Sequence, residues 1–268
     1  MDTFQLYKDM KARTNGEIYI GVVGPVRTGK STFIKRFMDL LVLPNMTDEH
    51  AKARTKDELP QSASGTTIMT TEPKFVPKEA AEISLAEDVN VKVRLIDCVG
   101  FMVEGASGHI ENDVERQVKT PWFEYEIPFT KAASIGTQKV IHEHSTIGIV
   151  VTTDGSIGNL PRESYIEAEE KTVHELQSIG KPFVLLVNCK KPYSEEAKNL
   201  AESLQEKYQT AALAVNCEQM KAEDVHRIMQ QVLYEFPISE VEFYIPKWVE
   251  MLSRDHAIKQ DLLKTSPG

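Results

Sequence analysis

A glycine-rich stretch near the amino end has the residue types and spacing of a phosphate-binding loop. Residues 24–31 read Gly-Pro-Val-Arg-Thr-Gly-Lys-Ser, a complete match to the pattern Gly-x4-Gly-Lys-Ser. Glycines let the backbone wrap around phosphate oxygens, and the N–H groups that open the following helix favour an anion. We expect Lys30 to contact the β- and γ-phosphates and the Ser31 hydroxyl to bind Mg²⁺. The expected nucleotide contacts in this loop are Gly24, Val26, Arg27, Thr28, Gly29, Lys30, Ser31 and Thr32.

An aspartate at the end of an apolar run is the second landmark of this chemistry. The segment VKVRLIDCVG places Asp97 at the end of a predicted strand, with Gly100 three residues later. A carboxylate at the carboxyl edge of a sheet can hold Mg²⁺ through water, and the N–H of such a glycine can meet a γ-phosphate. The Asp-x-x-Gly pattern is short, and it becomes informative because a phosphate loop precedes it.

A threonine-rich stretch lies between these two landmarks. Its sequence, SGTTIMTTEP, offers the hydroxyls of Thr66, Thr67, Thr70 and Thr71. A threonine in this place can put its hydroxyl on Mg²⁺ and its carbonyl oxygen near the attacking water. Residue type and spacing leave the four threonines equivalent.

A later apolar run ends where many nucleotide-binding proteins read the base. The run PFVLLVNCKKPY carries Asn188, but Cys189 and Lys191 stand where guanine readers have Lys and Asp in the pattern Asn-Lys-x-Asp. That Asp accepts two hydrogen bonds from guanine, whereas a lysine ammonium only donates. The second base loop aligns with VNCEQ, where Asn216 replaces a serine. We therefore expect guanine selection to be lost, ATP to be preferred and Asn188 to remain a nucleotide contact.

The elements that must position these residues alternate between strands and helices. EIYIGVV, from Glu17 to Val23, predicts a buried strand, and the alternation predicts a largely parallel sheet with helices on both faces. TEPKFVP and VNVKVRLID predict an antiparallel pair, in which Pro73 and Pro77 confine the first strand to an edge. Residues 100–128 show no regular pattern and predict an irregular loop.

Composition excludes several classes of protein. The chain has 268 residues, of which 41% are hydrophobic, so a sizeable core is expected. A net charge of −9 argues against nucleic acid as the main partner. No stretch is long and apolar enough for a transmembrane segment, and the amino end lacks the pattern of a signal peptide. Three widely spaced cysteines suit a reducing cytosol.

The order of phosphate loop, loop threonine, antiparallel pair and Asp-x-x-Gly resembles that of the translation-factor-related GTPase class. Longer segments resemble the stage IV sporulation protein A family of spore-coat ATPases: GPVRTGKSTFIKRFMDLLVLPN, DELPQSASGTTIMTTEPKFVP, LIDCVGF, STIGIVVTTDGSIG and YIEAEEKTVHELQSIGKPF. The resemblance extends over nearly the whole chain. It implies a three-layer α/β P-loop NTPase fold with a mostly parallel sheet and one antiparallel edge pair.

The resemblance also implies an activity and a cellular place. The implied activity is Mg²⁺-dependent hydrolysis of ATP, which drives self-assembly into the basement layer of the spore coat. The implied partners are further copies of the chain, other coat proteins and a forespore-membrane anchor, and the implied location is the mother-cell cytosol at the forespore surface. Residues 1–237 are expected to form the nucleotide-binding domain, and residues 238–268 to begin a following, truncated segment.

The resemblance separates residues that spacing left equivalent. Thr70 and Thr71 match the family's paired sensor threonines. Arg27 holds the loop position where potassium-dependent relatives carry Asn, so its charge could act in cis, the alternative being a side chain in solvent. The expected catalytic residues are thus Thr70, Thr71, Asp97 and Arg27, and the expected metal ligands are Ser31, Thr70 and Asp97. Gly100 and Asn188 complete the nucleotide contacts.

Three functions remain open on the sequence. The first is an ATPase whose hydrolysis permits assembly, the second a GTPase switch, and the third a coat protein that keeps its nucleotide unhydrolysed. Phe101 follows Gly100 where regulatory GTPases place a water-orienting Gln, which counts against the switch. Slow hydrolysis would be difficult to distinguish from no hydrolysis, so the third function stays open until phosphate release is measured.

Overall fold

A central β-sheet and the helices around it organise the chain. The computed structural model describes residues 3–60, 71–86, 89–106, 108, 110–111, 114–158, 160–237, 248, 251–253 and 256–258. The chain divides into two units, Met1–Phe236 and Pro237–Gly268. The strands and helices named below all belong to the first unit.

The elements follow one another in the alternating order that the sequence predicts. In chain order they are α1 (Thr3–Arg13), β1 (Glu17–Val23), α2 (Lys30–Phe37), α3 (Glu49–Glu58), β2 (Lys74–Ala86), β3 (Val89–Asp97), β4 (Ile110–Glu111), β5 (Val114–Glu115), β6 (Gln117–Thr120), β7 (Phe123–Pro128), α4 (Phe129–Lys139), β8 (Ile147–Thr153), α5 (Ile166–Ser178), β9 (Phe183–Asn188), α6 (Glu195–Tyr208), β10 (Ala212–Val215) and α7 (Ala222–Tyr234). Short π-helical turns, Met38–Val42 and Val140–His144, continue α2 and α4.

The main sheet has six strands in the order β10-β9-β8-β1-β3-β2. β1 is parallel to β3, with Val22 opposite Asp97, and parallel to β8, with Val23 opposite Val150. β9 is parallel to both β8 and β10. β2 runs antiparallel to β3, with Lys74 opposite Asp97. The predicted α/β architecture, mostly parallel with one antiparallel pair, is confirmed.

The antiparallel strand β2 lies at the edge of the sheet, as its prolines predict. Pro73 directly precedes β2 and Pro77 lies within it. A proline has no N–H to donate to a ladder, so an edge strand tolerates it where a central strand would not. The register between β2 and β3 shifts between Val76 and Ala81, close to Pro77.

Helices cover both faces of the sheet because its inner strands are apolar on both. All seven residues of β8 and all six of β9 are buried, a pattern typical of parallel sheets. On one face α1, α2 and α7 contribute Met10, Phe33 and Met229 to the core. On the other face α5 and α6 contribute Leu176 and Leu204. Among the helices within the described residues, none has the length and apolar character needed to cross a bilayer.

The segment 100–128 is more regular than predicted. Its described residues include two short hairpins, β4–β5 and β6–β7. In the second hairpin Thr120 pairs with Phe123, which leaves Pro121 and Trp122 as a two-residue turn. The prediction of an irregular loop was therefore wrong for this part. The alternating residues of FEYEI favour a strand, but the prolines on both sides obscure that signal.

Candidate nucleotide-binding site

The carboxyl ends of neighbouring strands bring most of the predicted site residues to one edge of the sheet. β1 ends at Val23 and leads into the phosphate loop, while β3 ends at Asp97, β8 at Thr153 and β9 at Asn188. These four strands are parallel, so their carboxyl ends lie at the same edge. Open α/β sheets bind ligands in the crevice outside this edge.

Two glycines shape the phosphate loop. Gly24 and Gly29 have φ angles of 129° and 96°, in the region that favours glycine. A Cβ on Gly24 would lie 2.4 Å from the carbonyl oxygen of Val151, and a Cβ on Gly29 would lie 2.3 Å from Nδ2 of Asn188. The loop therefore packs too closely on its neighbours to accept side chains here. α2 begins directly after Gly29, and the N–H groups of its first turn are available to an anion.

The Lys30 ammonium is held inside the phosphate loop. Only 5% of this residue is exposed, and its Nζ donates to the carbonyl oxygens of Pro25 at 2.6 Å and Gly24 at 3.4 Å. Burial lowers the pKa of Lys30, and the nearby carboxyl of Asp97 acts in the opposite direction. Phosphate oxygens would replace the hydration that this ammonium has lost, so the position suits a polyphosphate ligand.

Ser31 and Asp97 meet across the ends of β1 and β3. The Ser31 hydroxyl donates to Oδ2 of Asp97 at 2.6 Å. Burial raises the pKa of Asp97, while the Ser31 hydroxyl and the Lys30 charge counteract the increase. Within the described residues, no donor reaches the buried Oδ1 of Asp97. A hydroxyl and a carboxylate with an unused oxygen are ligands that Mg²⁺ prefers, so these residues fit a magnesium ion.

Gly100 lies directly on the phosphate loop. Its φ angle is 93°, and a Cβ there would lie 2.0 Å from the carbonyl oxygen of Gly24 and 2.7 Å from Nζ of Lys30. The nearest of these atoms belongs to the backbone and cannot rotate away. Any side chain at position 100 would therefore force the Asp-x-x-Gly segment away from the loop.

Phe101, the residue after Gly100, is also bonded to the phosphate loop. Its carbonyl oxygen accepts a hydrogen bond from the N–H of Val26 at 3.0 Å. The ring is buried among apolar side chains that include Val26 and Tyr165, and Nζ of Lys171 lies 4.4 Å from the ring centroid. The position that holds a water-orienting Gln in regulatory GTPases thus carries a packing residue with no polar side-chain atom.

Arg27 occupies a strained position in the loop. Its φ angle of 63° lies in the left-handed region, which costs a residue other than glycine about 1–3 kcal/mol. Burial raises the pKa of the Tyr165 hydroxyl, and the Arg27 charge partly opposes that shift. Strain of this kind concentrates at ligand-binding sites.

The amide of Asn188 connects three parts of the edge. Its Nδ2 donates to the carbonyl oxygen of Thr28 at 2.9 Å, and its Oδ1 accepts from the N–H of Cys217 at 3.0 Å. Cys189 is buried, and burial raises the pKa of its thiol to about 11. Lys191 is exposed. Asn188 thus has a structural role in the loop, whereas the two positions that differ from guanine readers carry a buried thiol and an exposed ammonium.

The turn after β8 supports the same region, which the sequence pattern did not indicate. Oδ1 of Asp154 accepts from the N–H of Ser156 at 2.8 Å and from its hydroxyl at 2.6 Å. The Ser156 hydroxyl in turn accepts from the N–H of Lys190 at 3.0 Å. The DGSIG turn, residues 154–158, therefore fixes the loop after Asn188. The turn directly follows β8, which ends at the same edge of the sheet, and this position in the sequence was the signal that it belongs to the site.

Of the four candidate threonines, the structure describes one. Thr66, Thr67 and Thr70 lie outside the described residues. Thr71 is buried, and its carbonyl oxygen lies against Gly136 of α4. The predicted residues that the sheet edge brings together are Gly24, Val26, Arg27, Thr28, Gly29, Lys30, Ser31, Thr32, Asp97, Gly100 and Asn188. Their roles remain predictions.

Comparison with a protein-family model gives a match over residues 1–237. The family is described as stage IV sporulation protein A, ATPase domain. The match covers the sheet, the phosphate loop and the helices on both faces.

Individual relatives agree with this match. A stage IV sporulation protein A of Clostridioides difficile (strain 630) is 53% identical over 260 residues, which are 97% of this chain and 53% of the relative. The proteins of that name from Bacillus subtilis (strain 168) and Bacillus anthracis are each 50% identical over 260 residues, with the same coverage. The chain therefore spans about half the length of these relatives.

Proposed function

Because the chain belongs to the stage IV sporulation protein A family and carries its ATPase domain, we propose that it hydrolyses Mg²⁺-ATP at the carboxyl edge of the sheet. An ATPase domain implies a nucleotide and a divalent metal. The observation that carries the proposal is the contact of Ser31 with Asp97 beside the buried ammonium of Lys30. These three groups are the ones that hold metal and phosphate in P-loop enzymes.

Binding is assigned to the phosphate loop and the start of α2. Lys30 pairs with the β- and γ-phosphates, and the backbone N–H groups of residues 27–32 surround the remaining oxygens. Ser31, Asp97 and Thr70 would hold Mg²⁺, which when bound neutralises charge on the phosphates. A side chain at Gly29 would clash with Asn188 and one at Gly100 with the backbone of Gly24, so either would distort the loop that holds the phosphates.

Hydrolysis is assigned to groups around the γ-phosphate. The hydroxyls of Thr70 and Thr71 and the carbonyl oxygen of Thr70 hold the attacking water, and the N–H of Gly100 donates to the γ-phosphate. Arg27 supplies positive charge in cis, as an arginine finger does elsewhere. Phe101 has no group that could orient water. The threonines therefore carry this task alone among the groups proposed here.

The base is proposed to be adenine. Guanine would lose the acceptor for its ring N–H and amine, because Lys191 is exposed and can only donate. A buried amine without a partner costs about 1–3 kcal/mol, which is roughly tenfold or more in affinity. Adenine makes no such demand. Cys189 is buried, so no side chain at its position covers the base as the lysine stem of guanine readers does.

The fold is proposed to belong to the translation-factor-related class of P-loop proteins. The supporting observations are the strand order, in which β1 lies between β3 and β8, and the antiparallel strand β2 beside β3. The threonine segment leads into β2, which is where this class places its loop threonine. Residues 1–237 are proposed as the domain and residues 238–268 as the start of a following segment.

Assembly is the proposed purpose of hydrolysis. Membership of a sporulation family supports a role on the forespore, in the mother-cell cytosol. We assign to the chain self-assembly into the basement layer of the spore coat, with other coat proteins and a forespore-membrane anchor as partners. The relatives are about twice as long as this chain, so their remaining length is available for contacts with those partners.

Phosphate release is the deciding experiment. The purified chain is incubated with Mg²⁺ and either ATP or GTP, and phosphate is measured over time, with Lys30→Ala as the inactive control. Faster release from ATP, abolished in Lys30→Ala, supports the proposal. Equal or faster release from GTP would refute adenine selection. Tight ATP binding without release would instead indicate a coat protein that keeps its nucleotide.

A further inference from the structure

Helix α4 has a glycine, Gly136, in its buried face. Glycine in a helix interior lowers helix stability relative to alanine, so its presence calls for a local reason. Gly136 shares the buried face of α4 with Phe129, Ala132, Ala133 and Thr137. Except for Phe129, these are small residues, which lets another segment approach the helix closely.

The segment that approaches is the one that carries the predicted sensor threonines. A Cβ on Gly136 would lie 2.5 Å from the carbonyl oxygen of Thr71 and 3.7 Å from Cδ of Pro73. It would also lie 3.4 Å from Cη2 of Trp122, at the tip of the β6–β7 hairpin. The closest of these atoms is backbone and cannot rotate away. Only glycine allows the threonine segment to come this close to α4.

The same face of α4 also touches the end of β3. The Thr137 hydroxyl donates to the carbonyl oxygen of Ala133 within α4 and lies beside the thiol of Cys98, which directly follows Asp97. Burial is the main reason why the pKa of this thiol is raised to about 11. α4 thus contacts the threonine segment through Gly136 and the metal-binding edge through Thr137. The distance between these two parts of the site depends on how closely each packs on the helix.

We infer that Gly136 is a positioning residue for ATP hydrolysis. Its missing side chain lets Thr71 seat against α4, and this contact fixes Thr71 relative to Asp97 and the phosphate loop. Trp122 covers the contact from the hairpin side, and Nζ of Lys139 lies 5.9 Å from its ring centroid. The inference rests on the proposed function, because it assigns Gly136 a role only if Thr70 and Thr71 act in hydrolysis.

Gly136→Ala tests the inference. The added methyl group pushes the threonine segment outward, and a misplacement of about 1 Å lowers kcat by about tenfold or more. ATP binding depends on the phosphate loop, so the Kd for ATP is expected to change less than about twofold. Ser134→Ala is the matched control, since it places alanine on the same helix at a partly exposed position and should leave both values unchanged.

Four results would count against the inference. An unchanged kcat in Gly136→Ala would overturn it, as would a loss of ATP affinity as large as the loss of kcat. If Gly136→Ala does not fold, Trp122→Ala decides the question. This variant should lower kcat several-fold at unchanged Kd and speed amide hydrogen exchange in the peptide 71–75, and an unchanged kcat would overturn the inference. An unaltered chain that releases no phosphate would refute the proposed function itself and the inference with it.

Discussion

The side-chain amide of Asn188 donates to the carbonyl oxygen of Thr28 at 2.9 Å, so the end of β9 is bonded to the phosphate loop. The oxygen of the same amide accepts from the N–H of Cys217. The residue that flanks the base reader in GTPases therefore supports the phosphate loop here. This role is independent of which base is bound.

Asn188→Ala is expected to weaken ATP binding about tenfold, because two hydrogen bonds of about 0.5–1.5 kcal/mol each are lost from the loop support. A titration with ATP and Mg²⁺ measures the effect. Asn45→Ala is the matched control, since Asn45 also donates to a carbonyl oxygen, that of Leu41, but away from the sheet edge. Equal affinities in Asn188→Ala and the control would show that the loop holds its shape without this tie.

Lys30→Ala is expected to abolish or greatly weaken nucleotide binding, because the phosphates lose the buried ammonium beside them. Isothermal titration with ATP measures the loss. Lys35→Ala provides the control, because it removes a charge from the same helix outside the phosphate loop. Undiminished ATP affinity in Lys30→Ala would remove the basis for the enzymatic assignment.

Replacement of both Thr70 and Thr71 by alanine is expected to lower kcat while leaving ATP affinity largely intact. Their proposed contacts are to metal and attacking water, and these matter more in the transition state than in the ground state. Steady-state phosphate release and ATP titration together separate the two effects. The control is the double variant Thr66→Ala and Thr67→Ala. If the control loses turnover and the first variant does not, the sensor threonines are Thr66 and Thr67.

ATP is expected to compete better than GTP for the site, roughly tenfold or more, because guanine finds no carboxylate acceptor. Displacement of a fluorescent ATP analogue by each nucleotide measures the ratio. Lys191→Asp should narrow the gap by restoring an acceptor, whereas Lys190→Asp should not. GTP that displaces the analogue at equal or lower concentration than ATP would contradict adenine selection.

Asp97→Asn is expected to stabilise the nucleotide-free chain at pH 7 while abolishing Mg²⁺-dependent turnover. Burial raises the pKa of Asp97 in the folded state, so protonation of this carboxyl favours folding. That contribution is complete below the unfolded pKa of about 3.9 and is lost as pH rises through the folded pKa. Because the asparagine amide is neutral at every pH, the variant does not lose this stability as the pH rises.

Thermal unfolding without nucleotide measures the stability change, at about 2–4 °C per kcal/mol for a domain of this size. The exposed Asp57→Asn is the control and should not shift the melting temperature. A lower melting temperature in Asp97→Asn at pH 7 would show that the carboxylate stabilises the free site.

The local parts of the site could be read from the sequence. The phosphate loop and the Asp-x-x-Gly segment are continuous, and their chemistry depends on neighbours within a few residues. The sheet also follows from local patterns, since buried runs such as β8 predict parallel strands. Pro77 also predicts an edge strand correctly, because a proline has no N–H to donate to a neighbouring strand.

The parts that depend on distant contacts could not be read in this way. No pattern around Asn188 indicates that its amide reaches Thr28, because that contact joins residues 160 positions apart. Gly136 lies in α4, but the reason for a glycine there is the backbone of Thr71, 65 positions earlier in the chain. Nothing in the sequence around Ser156 indicates that its hydroxyl accepts a hydrogen bond from the N–H of Lys190.

Because β1 lies between β3 and β8, the sheet cannot be completed until long after β1 has been synthesised. β1 leaves the ribosome first, yet the strands that flank it and the amide that ties Thr28 are synthesised much later. Translation at about 5–20 residues per second separates Thr28 from Asn188 by roughly 10–30 s. Until β8 has been synthesised, at Ile147–Thr153, the apolar run EIYIGVV has no neighbour on that side. The apolar run of β1 is therefore exposed on the nascent chain before the nucleotide-binding edge is complete.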